Sequence, residues 1–328
     1  MLERIPSLPP EIKPVAKGIP RPMWSVMIPV YNCSQFIPEV LESVLKQHIA
    51  EKDMQIEVVD DASTDADVEK IVQEIGKGRI NYFRQSNNIG SLRNFETCIN
   101  RSHGKFIHLL HGDDRVLPGY YHTIQHLFRQ YPKAGAAFCN YRYIDEIGHE
   151  KFWQPLESDK EGILENWLLR IAERNLIQYA AITVKREVYE ELGSFYGSTF
   201  GEDWEMWVRI AQAHKFAYTP KVLAEYRQHD SSITGEKFLN GDSLKDLILI
   251  MDLVQKYVPQ THRKTVLRKS KKFYAWYGLH NAADAWKRTC NKKSVHNQIR
   301  QLLKMHNGDF GMYKVIAKLY LKMLLNYR

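Results

Sequence analysis

Three pairs of adjacent acidic residues are placed where chemistry could take place: Asp60-Asp61, Asp113-Asp114 and Glu202-Asp203. Neighbouring carboxylates repel each other, and a cleft tolerates them when a divalent cation lies between them and an anionic ligand. The same residue types are also common in polar turns and at helix N-termini, where they accept bonds from backbone N–H groups. The pairs therefore predict either a cation-assisted site for an anionic ligand or a set of structural caps.

Alternating strands and helices must position these acids. Over the first 115 residues, segments with helical spacing of apolar residues separate apolar runs of strand length, which lie at 24–30, 55–59, 80–83 and 106–110. This alternation predicts an α/β fold with a mostly parallel sheet flanked by helices. The acids at 60–61 and 113–114 then share the carboxyl edge of the sheet, where such sheets bind ligands. Ser63 or Thr64 is expected to cap the helix that follows.

Composition limits the class of protein. With 328 residues, of which 44% are hydrophobic, the chain is long enough for one large domain and a smaller one. Its four cysteines are scattered without a CxxC pair, which indicates a reducing compartment rather than a disulfide framework or a zinc cluster. Neither a signal peptide nor a run of roughly 18 apolar residues is found. A cytoplasmic protein is expected.

Three regions differ in composition and charge. They are a proline-rich arm at 1–22, the α/β domain at 23–235 and a helical extension at 236–328. The net charge of +8 is uneven, because residues 256–328 contain 17 Lys or Arg and 2 Asp, and the preceding residues are net acidic. This asymmetry predicts a domain with an acidic site followed by a basic region that meets an anionic partner.

One stretch of the basic extension has the pattern of an amphipathic helix. Lys314, Lys318 and Lys322 recur every fourth residue and form one cationic stripe. The apolar residues of this stretch are expected on the other side: Val315, Ile316, Leu319, Met323 and Leu324. Such a helix can lie on an anionic membrane, which would place the protein peripherally on its cytoplasmic face. A solvated basic face of an accessory domain is the alternative.

Short motifs along the chain resemble those of the family 2 inverting glycosyltransferases with the GT-A fold. They are Ile28-Pro29-Val30-Tyr31-Asn32, Val59-Asp60-Asp61-Ala62-Ser63-Thr64-Asp65, Asn88-Ile89-Gly90 with Arg93-Asn94, Leu110-His111-Gly112-Asp113-Asp114, Gly201-Glu202-Asp203-Trp204 and Tyr226-Arg227-Gln228-His229. Each is weak alone, and their order and spacing over residues 23–232 carry the resemblance. It implies a Rossmann-like GT-A domain that transfers a sugar from a nucleotide-diphosphate donor to a hydroxyl acceptor, in glycan or polysaccharide biosynthesis.

The resemblance also implies a cation, Mn²⁺ or Mg²⁺, and its ligands. Asp113 matches the second acid of the family's DxD motif and is the first candidate ligand, and His229 matches a late histidine that completes the metal shell. Asp114 is expected beside the cation or on donor hydroxyls. His111 stands where the family usually has the first acid, so either a looser metal or a contact to the sugar or ribose is expected. A polar loop at Asp113 and a plain surface histidine at 229 stay open.

The acceptor needs a general base, which typically contributes about 10²–10⁴-fold to the rate. Asp203 matches the family's Glu-Asp position and is the candidate, with Glu202 orienting it or binding the acceptor. Both residues are also favourable acids at a helix N-terminus, which is the structural alternative.

The resemblance places the donor's base and ribose at the first two strand ends. Pro29 is expected to supply a backbone contact, Tyr31 to stack on the base, and Asp61 to accept from a base N–H or a ribose hydroxyl. Arg93 resembles a basic contact near the base and phosphate, or is an ordinary surface arginine. A UDP-sugar is the default donor, with GDP and dTDP open, and the acceptor is a glycan or a lipid-linked glycan.

Two other functions compete with this interpretation. A sugar nucleotidyltransferase also uses acids on an α/β sheet, but it needs a glycine-rich basic loop where this chain has 29–32. An RNA-binding protein is suggested by the basic, aromatic extension. The acids at the strand ends oppose it, because they would repel phosphate without a metal, and no nucleic-acid partner is expected.

Overall fold

Ten strands join in one mixed sheet in the computed structural model, which describes residues 3–240 and 242–327. The strands are β1 (Trp24–Val30), β2 (Met54–Asp60), β3 (Asn81–Arg84), β4 (Phe106–Leu109), β5 (Arg115–Val116), β6 (Ala134–Ile144), β7 (Glu150–Trp153), β8 (Gly162–Ile163), β9 (Ile182–Lys185) and β10 (Lys215–Arg227). The helices are α1 (Ile37–Leu45), α2 (Val68–Gly76), α3 (Ser91–Arg101), α4 (Tyr120–Gln130), α5 (Trp167–Glu173), α6 (Arg186–Leu192), α7 (Glu202–Ala213), α8 (Ile233–Asn240), α9 (Ser243–Val254), α10 (Gln260–Thr289), α11 (Lys292–Met305) and α12 (Phe310–Leu324).

Parallel pairing is concentrated where the sequence alternates most regularly. The strand order is β3-β2-β1-β4-β9-β6-β10-β5, and β3, β2, β1 and β4 pair in parallel. Beyond β4 the sheet is mixed, because β9 runs antiparallel to both of its neighbours while β6 and β10 are parallel. All seven residues of β1 are buried, as expected for a central strand covered on both faces. The predicted α/β class is confirmed.

The chain forms two compact units. The first holds the whole sheet and consists of residues up to 167, 177–197 and 209–228. The second consists of 168–176, 198–208 and the chain from 229 onward, and it is helical.

The proline-rich arm forms no regular helix or strand between residues 3 and 22, yet it packs on the first unit. The carbonyl oxygens of Pro6 and Pro10 accept from Gly197 N at 2.9 Å and Ser194 N at 2.8 Å. Ile12 is buried. The arm is therefore part of the first unit.

The predicted cap of the second helix is wrong in position. α2 begins at Val68, and the side chain of Asp67 caps it by accepting from Lys70 N at 3.0 Å. Ser63 is instead taken up by a bond to Asp60.

The second unit is built around the long helix α10, against which α9, α11 and α12 pack. Within α12, the side chains that face this packing recur at helical spacing: Met312, Ile316, Leu319 and Met323. Of the apolar residues expected together on one side of this helix, Ile316, Leu319 and Met323 are buried, whereas Val315 and Leu324 are exposed. Among the described residues, no helix combines the length and the hydropathy that a membrane crossing needs.

Candidate active site

Gly112 brings the turn after β4 against the end of β1. Its N–H donates to the carbonyl oxygen of Pro29 at 3.2 Å. A Cβ at this position would lie 2.8 Å from Cys33 Sγ and 2.9 Å from Val30 Cγ2, closer than real Cβ atoms approach. Only glycine therefore lets this turn lie at the carboxyl end of the central strands, where the predicted ligand site belongs.

Three side chains of this turn form a cluster with the chemistry of a metal site. One ligand atom each from His111, Asp113 and Asp114 lie within 4.8 Å of one another. His111 Nε2 and Asp114 Oδ2 are buried and have no hydrogen-bond partner among the described residues. The imidazole of His111 lies against the rings of Phe95 and Tyr179, with centroids 5.1 and 4.1 Å away. The ring is thus fixed in place by packing, which leaves Nε2 for another partner.

Burial sets the protonation of this cluster. It lowers the pKa of His111 to about 4, so the imidazole is neutral near pH 7 and keeps one nitrogen lone pair. Burial, with the neighbouring charge of Asp113, raises the pKa of the Asp114 carboxyl well above its usual range. Leaving buried acceptors without a partner is costly, and a divalent cation would satisfy them and favour the ionised carboxylates. One imidazole and two carboxylates fit Mn²⁺ or Mg²⁺ as a donor set.

Arg227 holds the backbone of the acidic turn in place. Its N–H donates to Asp114 Oδ1 at 2.9 Å, and its Nε donates to the carbonyl oxygen of Asp113 at 2.8 Å. The guanidinium also reaches Glu39 Oε2 at 2.7 Å, and the whole side chain is buried. Sequence reasoning placed Arg227 in a motif without giving it a role.

Asp60, the first acid of its pair, is fully occupied by structural bonds. It accepts from Ser63 N at 2.8 Å, from Tyr82 Oη at 2.7 Å and from Arg84 Nη1 at 2.5 Å. It therefore ties the end of β2 to β3 and to the loop that follows.

Asp61, the second acid of that pair, orders the turn before α3. Its carboxylate accepts from Ile89 N at 2.8 Å and from Gly90 N at 2.9 Å. Burial raises the pKa of Asp61, and those two bonds and the charge of Arg4 act against the rise. The oxygens keep further lone pairs, so a contact to a donor hydroxyl stays a prediction.

The other predicted donor contacts differ in their surroundings. Pro29 is buried at the end of β1, whereas Tyr31 is half exposed, as a base-stacking ring requires. Arg93 is paired with Glu96 at 2.7 Å, and its Nε donates to the carbonyl oxygen of Glu3 at 2.8 Å. Arg93 is thus engaged with the N-terminal arm.

A second arginine, which sequence reasoning missed, lies beside the Asp61 turn. Arg4 of the arm donates to Asn88 O at 2.9 Å and to Asn88 Oδ1 at 2.5 Å. Nothing in a proline-rich segment so far from Asn88 in sequence indicated this contact.

The candidate base lies in the second unit, in a buried hydrogen-bonded setting. Asp203 Oδ2 accepts from Asn175 Nδ2 at 2.7 Å, and Oδ1 accepts from Trp204 N at 2.7 Å. The N–H of Asn175 donates in turn to Tyr274 Oη at 3.0 Å. Burial raises the pKa of Asp203 to about 6, against the lowering effect of these bonds. No sequence pattern indicated this contact between Asn175 and Asp203.

Glu202 and His229 also belong to the second unit, whereas the His111 cluster belongs to the first. Glu202 is the first residue of α7 and is buried, so the predicted position at a helix N-terminus is confirmed. His229 is buried, with Nδ1 2.8 Å from Ser231 Oγ. Its role as a metal ligand stays a prediction.

Sequence comparison gives a family for the chain. A profile described as glycosyl transferase family 2 matches residues 25–191. An uncharacterized protein of Mycobacterium tuberculosis (strain CDC 1551 / Oshkosh) is 29% identical over 225 residues, which cover 65% of this chain and 69% of that protein. An uncharacterized glycosyltransferase of Rickettsia typhi (strain ATCC VR-144 / Wilmington) is 26% identical over 216 residues, which cover 65% of this chain and 66% of the relative. The chain thus matches about two thirds of the length of these relatives.

Solved structures share the fold at low identity. S. aureus TarS 1-349 in complex with UDP-GlcNAc matches with a TM-score of 0.64 and 15% identity, over 86% of this chain and 80% of TarS. The mannosyltransferase PcManGT from Pyrobaculum calidifontis, in complex with GDP-Man and Mn²⁺, matches with a TM-score of 0.57 and 16% identity, over 97% and 83%. The profile covers more than half of this chain and spans β2 to β9 and the acidic turn with its DxD-like cluster. This chain is a glycosyltransferase of family 2 with a GT-A fold.

Proposed function

We propose that this glycosyltransferase moves a sugar, with inversion, from a nucleotide-diphosphate donor to a hydroxyl of a glycan or lipid-linked acceptor, with the help of Mn²⁺ or Mg²⁺. The reaction would serve glycan or polysaccharide biosynthesis. A UDP-sugar is the first donor to test, and a GDP-sugar is the second, because the two structural neighbours were solved with UDP-GlcNAc and with GDP-Man.

The observation that carries this proposal is the pair of buried, unpartnered acceptors in the acidic turn. His111 Nε2 and Asp114 Oδ2 have no hydrogen-bond partner among the described residues, and both lie in a cluster with Asp113. These three residues would hold the cation, with His229 as a further proposed ligand. A divalent cation supplies Lewis-acid stabilisation of the charge that develops on a departing diphosphate.

The raised pKa of Asp203 supports its role as the general base. A base works best when its pKa lies close to the working pH, and burial brings Asp203 to about 6. Its carboxylate is held by Asn175, so its orientation is set before the acceptor arrives. In the proposed step the acceptor hydroxyl passes its proton to this carboxylate while its oxygen attacks the anomeric carbon opposite the leaving diphosphate. Glu202 is proposed to orient Asp203 or to bind the acceptor.

The nucleoside is proposed to lie at the ends of β1 and β2. Tyr31 offers an exposed ring for stacking on the base, and Pro29 lies beside it at the end of β1. The carboxylate of Asp61 orders the neighbouring turn and keeps lone pairs for a ribose hydroxyl or a base N–H. Arg93 is proposed to act from α3, through the arm that it holds.

A thermal-shift screen tests the donor and the cation together. Ligands that bind only the folded state raise the unfolding midpoint according to their affinity. We expect UDP or GDP, and their sugars, to raise it with Mn²⁺ or Mg²⁺ and to lose most of this effect in EDTA. Asp113→Ala should lose the cation-dependent part, and Glu146→Ala, which removes an exposed acid of the same unit, should keep it. If no nucleoside diphosphate raises the midpoint with any cation, the proposal is wrong.

A further inference from the structure

Helix α12 has an outer face that is both exposed and apolar. Side chains at spacings of three and four residues form one row along the helix, since an α-helix turns once every 3.6 residues. The row consists of Phe310, Tyr313, Ala317, Leu321 and Leu324, and these residues are called the outer face of α12. Phe310 is 74% exposed, Leu321 56% and Leu324 76%. Single exposed apolar residues are common in proteins, but a row along a whole helix marks a contact surface.

The outer face is held firmly because α12 is attached to α10 and α11. Asp309 caps α12 and also accepts from Trp276 Nε1 at 3.1 Å. Past the C-terminal end of the helix, Trp286 Nε1 donates to the carbonyl oxygen of Tyr327 at 2.8 Å. The opposite side of α12 is buried within the second unit. Rotating the helix to hide its exposed row would therefore expose the buried one.

The charge on α12 favours a negatively charged partner. The helix carries Lys314, Lys318 and Lys322 and no acidic residue. Lys314 Nζ lies 4.7 Å from the ring centroid of Phe310, so the cationic stripe borders the outer face directly. Two copies joined by this face would bring these lysines together, which opposes self-association. Leucines would add nothing to the binding of nucleic-acid phosphates.

We propose that the outer face of α12 docks on the surface of an anionic lipid bilayer. Phe310, Leu321 and Leu324 enter the boundary between headgroups and acyl chains, while the lysines contact the headgroup phosphates. The sequence alone predicted the membrane side to include Ile316, Leu319 and Met323, but those residues are buried in the second unit. The structure thus assigns this contact to a different row of residues.

Vesicle co-sedimentation tests the docking surface without donor or acceptor, so its outcome does not depend on the proposed transferase reaction. The full chain is mixed with neutral phosphatidylcholine vesicles and with vesicles that also contain phosphatidylglycerol. We expect binding to the second kind only, and weaker binding at high salt. Leu321→Ser with Leu324→Ser should lower the partition coefficient more than about tenfold. Replacing Lys314 and Lys318 by Gln should lower it by about fivefold per lysine.

A matched control separates this face from general surface hydrophobicity. Ile147→Ser with Leu156→Ser replaces two apolar residues of the first unit that are 72% and 45% exposed, and it should leave vesicle binding unchanged. Circular dichroism checks that every variant is folded. The proposal is overturned if the full chain does not bind anionic vesicles, if it binds neutral ones equally well, or if the α12 variants bind like the wild type. The proposal is also overturned if sedimentation velocity shows a dimer that Leu321→Ser with Leu324→Ser converts to a monomer.

Discussion

Replacing Asp203 by Asn should slow transfer strongly. It should also make the variant's stability, relative to that of the wild type, more favourable at neutral pH than at acidic pH. The carboxylate is buried and accepts from Asn175 and from Trp204 N. The amide has nearly the same shape and cannot ionise. It removes the base that takes the acceptor's proton, so the rate of transfer should fall by about 10²–10⁴-fold. Donor binding should persist, because Asp203 is not among the residues proposed to hold the cation or the nucleoside.

The size of the stability effect follows from the pKa of Asp203. Burial raises that pKa from 3.8 to about 6, and a rise of about two units corresponds to about 3 kcal/mol. A pKa that is higher in the folded state gives stability that is complete below the unfolded-state pKa and is lost as pH rises through about 6. Relative to the Asn variant, the wild type should therefore lose about 2 kcal/mol between about pH 4.5 and pH 8.

Comparing the two pH values cancels the cost of the hydrogen bond that the Asn side chain makes less well. An amide presents one oxygen and one NH₂ group where the carboxylate had two acceptors, so one of the two donors near Asp203 loses its partner. That cost of about 1–3 kcal/mol is nearly the same at both pH values, whereas the ionisation term is not. The quantity to measure is therefore how the difference in unfolding free energy between the wild type and the Asn variant changes with pH. The nearby Tyr274 hydroxyl does not interfere, because burial raises its pKa still further above this range.

Thermal unfolding of both proteins at the two pH values, with transfer assays on the same preparations, provides the measurement. For a chain of 328 residues, a difference of about 2 kcal/mol should change the gap in Tm by about 3 °C. Glu236→Gln, an exposed acid in the first turn of α8, is the control and should stay within about 0.5 kcal/mol of the wild type at both pH values. A gap that is the same at both pH values would refute the buried-carboxylate reasoning. Transfer at the wild-type rate would remove Asp203 from the mechanism.

Three further variants examine the acidic turn. Arg227→Lys should weaken cation-dependent donor binding and lower stability by about 3 kcal/mol, because a lysine cannot reproduce the buried fork that holds Asp113. Calorimetric titration with UDP and Mn²⁺ measures the binding, and urea unfolding measures the stability. Unchanged values would contradict this role of Arg227. His111→Asp should lower Tm in EDTA relative to the wild type, because it buries another carboxylate, and Mn²⁺ should restore it. Equal Tm values of variant and wild type in EDTA would argue against the cluster. Gly112→Ala should lower the free energy of unfolding by about 1–3 kcal/mol, because the added Cβ overpacks against Cys33 Sγ. In urea unfolding, adding Cys33→Ala should recover part of this loss. No recovery would show that the strain lies elsewhere.

Much of the first unit was predictable because its order is local. Apolar runs and helical spacing marked β1 to β4 and the helices between them, and these strands pair as the alternation predicts. The chain beyond β4 was less predictable. β9 inserts antiparallel between β4 and β6, and such a pairing depends on residues far apart in sequence rather than on local periodicity.

The acidic pairs show why residue type alone does not assign a role. Asp60 ends β2 and Asp114 lies in the turn after β4, each in a pair of acids. Asp60 has Ser63, Tyr82 and Arg84 as partners, while Asp114 keeps one buried oxygen without a partner among the described residues. The difference arises because β3 brings two donors to the end of β2. Sequence spacing gives the number of acids at a sheet edge, and tertiary pairing decides which of them remain available for a ligand.

Helix α12 shows the same limit of sequence patterns at the protein surface. Its sequence contains two apolar rows, one with Ile316 and Leu319 and the other with Leu321 and Leu324, and both satisfy helical periodicity. A hydrophobic pattern cannot tell which row packs against a neighbouring helix, because the choice depends on how α10 holds α12, in part through the bond from Trp276 Nε1 to Asp309. Once the row with Ile316 and Leu319 is buried, the row with Leu321 and Leu324 stays exposed to solvent. Contact with a partner surface would remove this exposed apolar area from water. The vesicle experiment with the serine variants of the second row therefore tests the consequence of that choice directly.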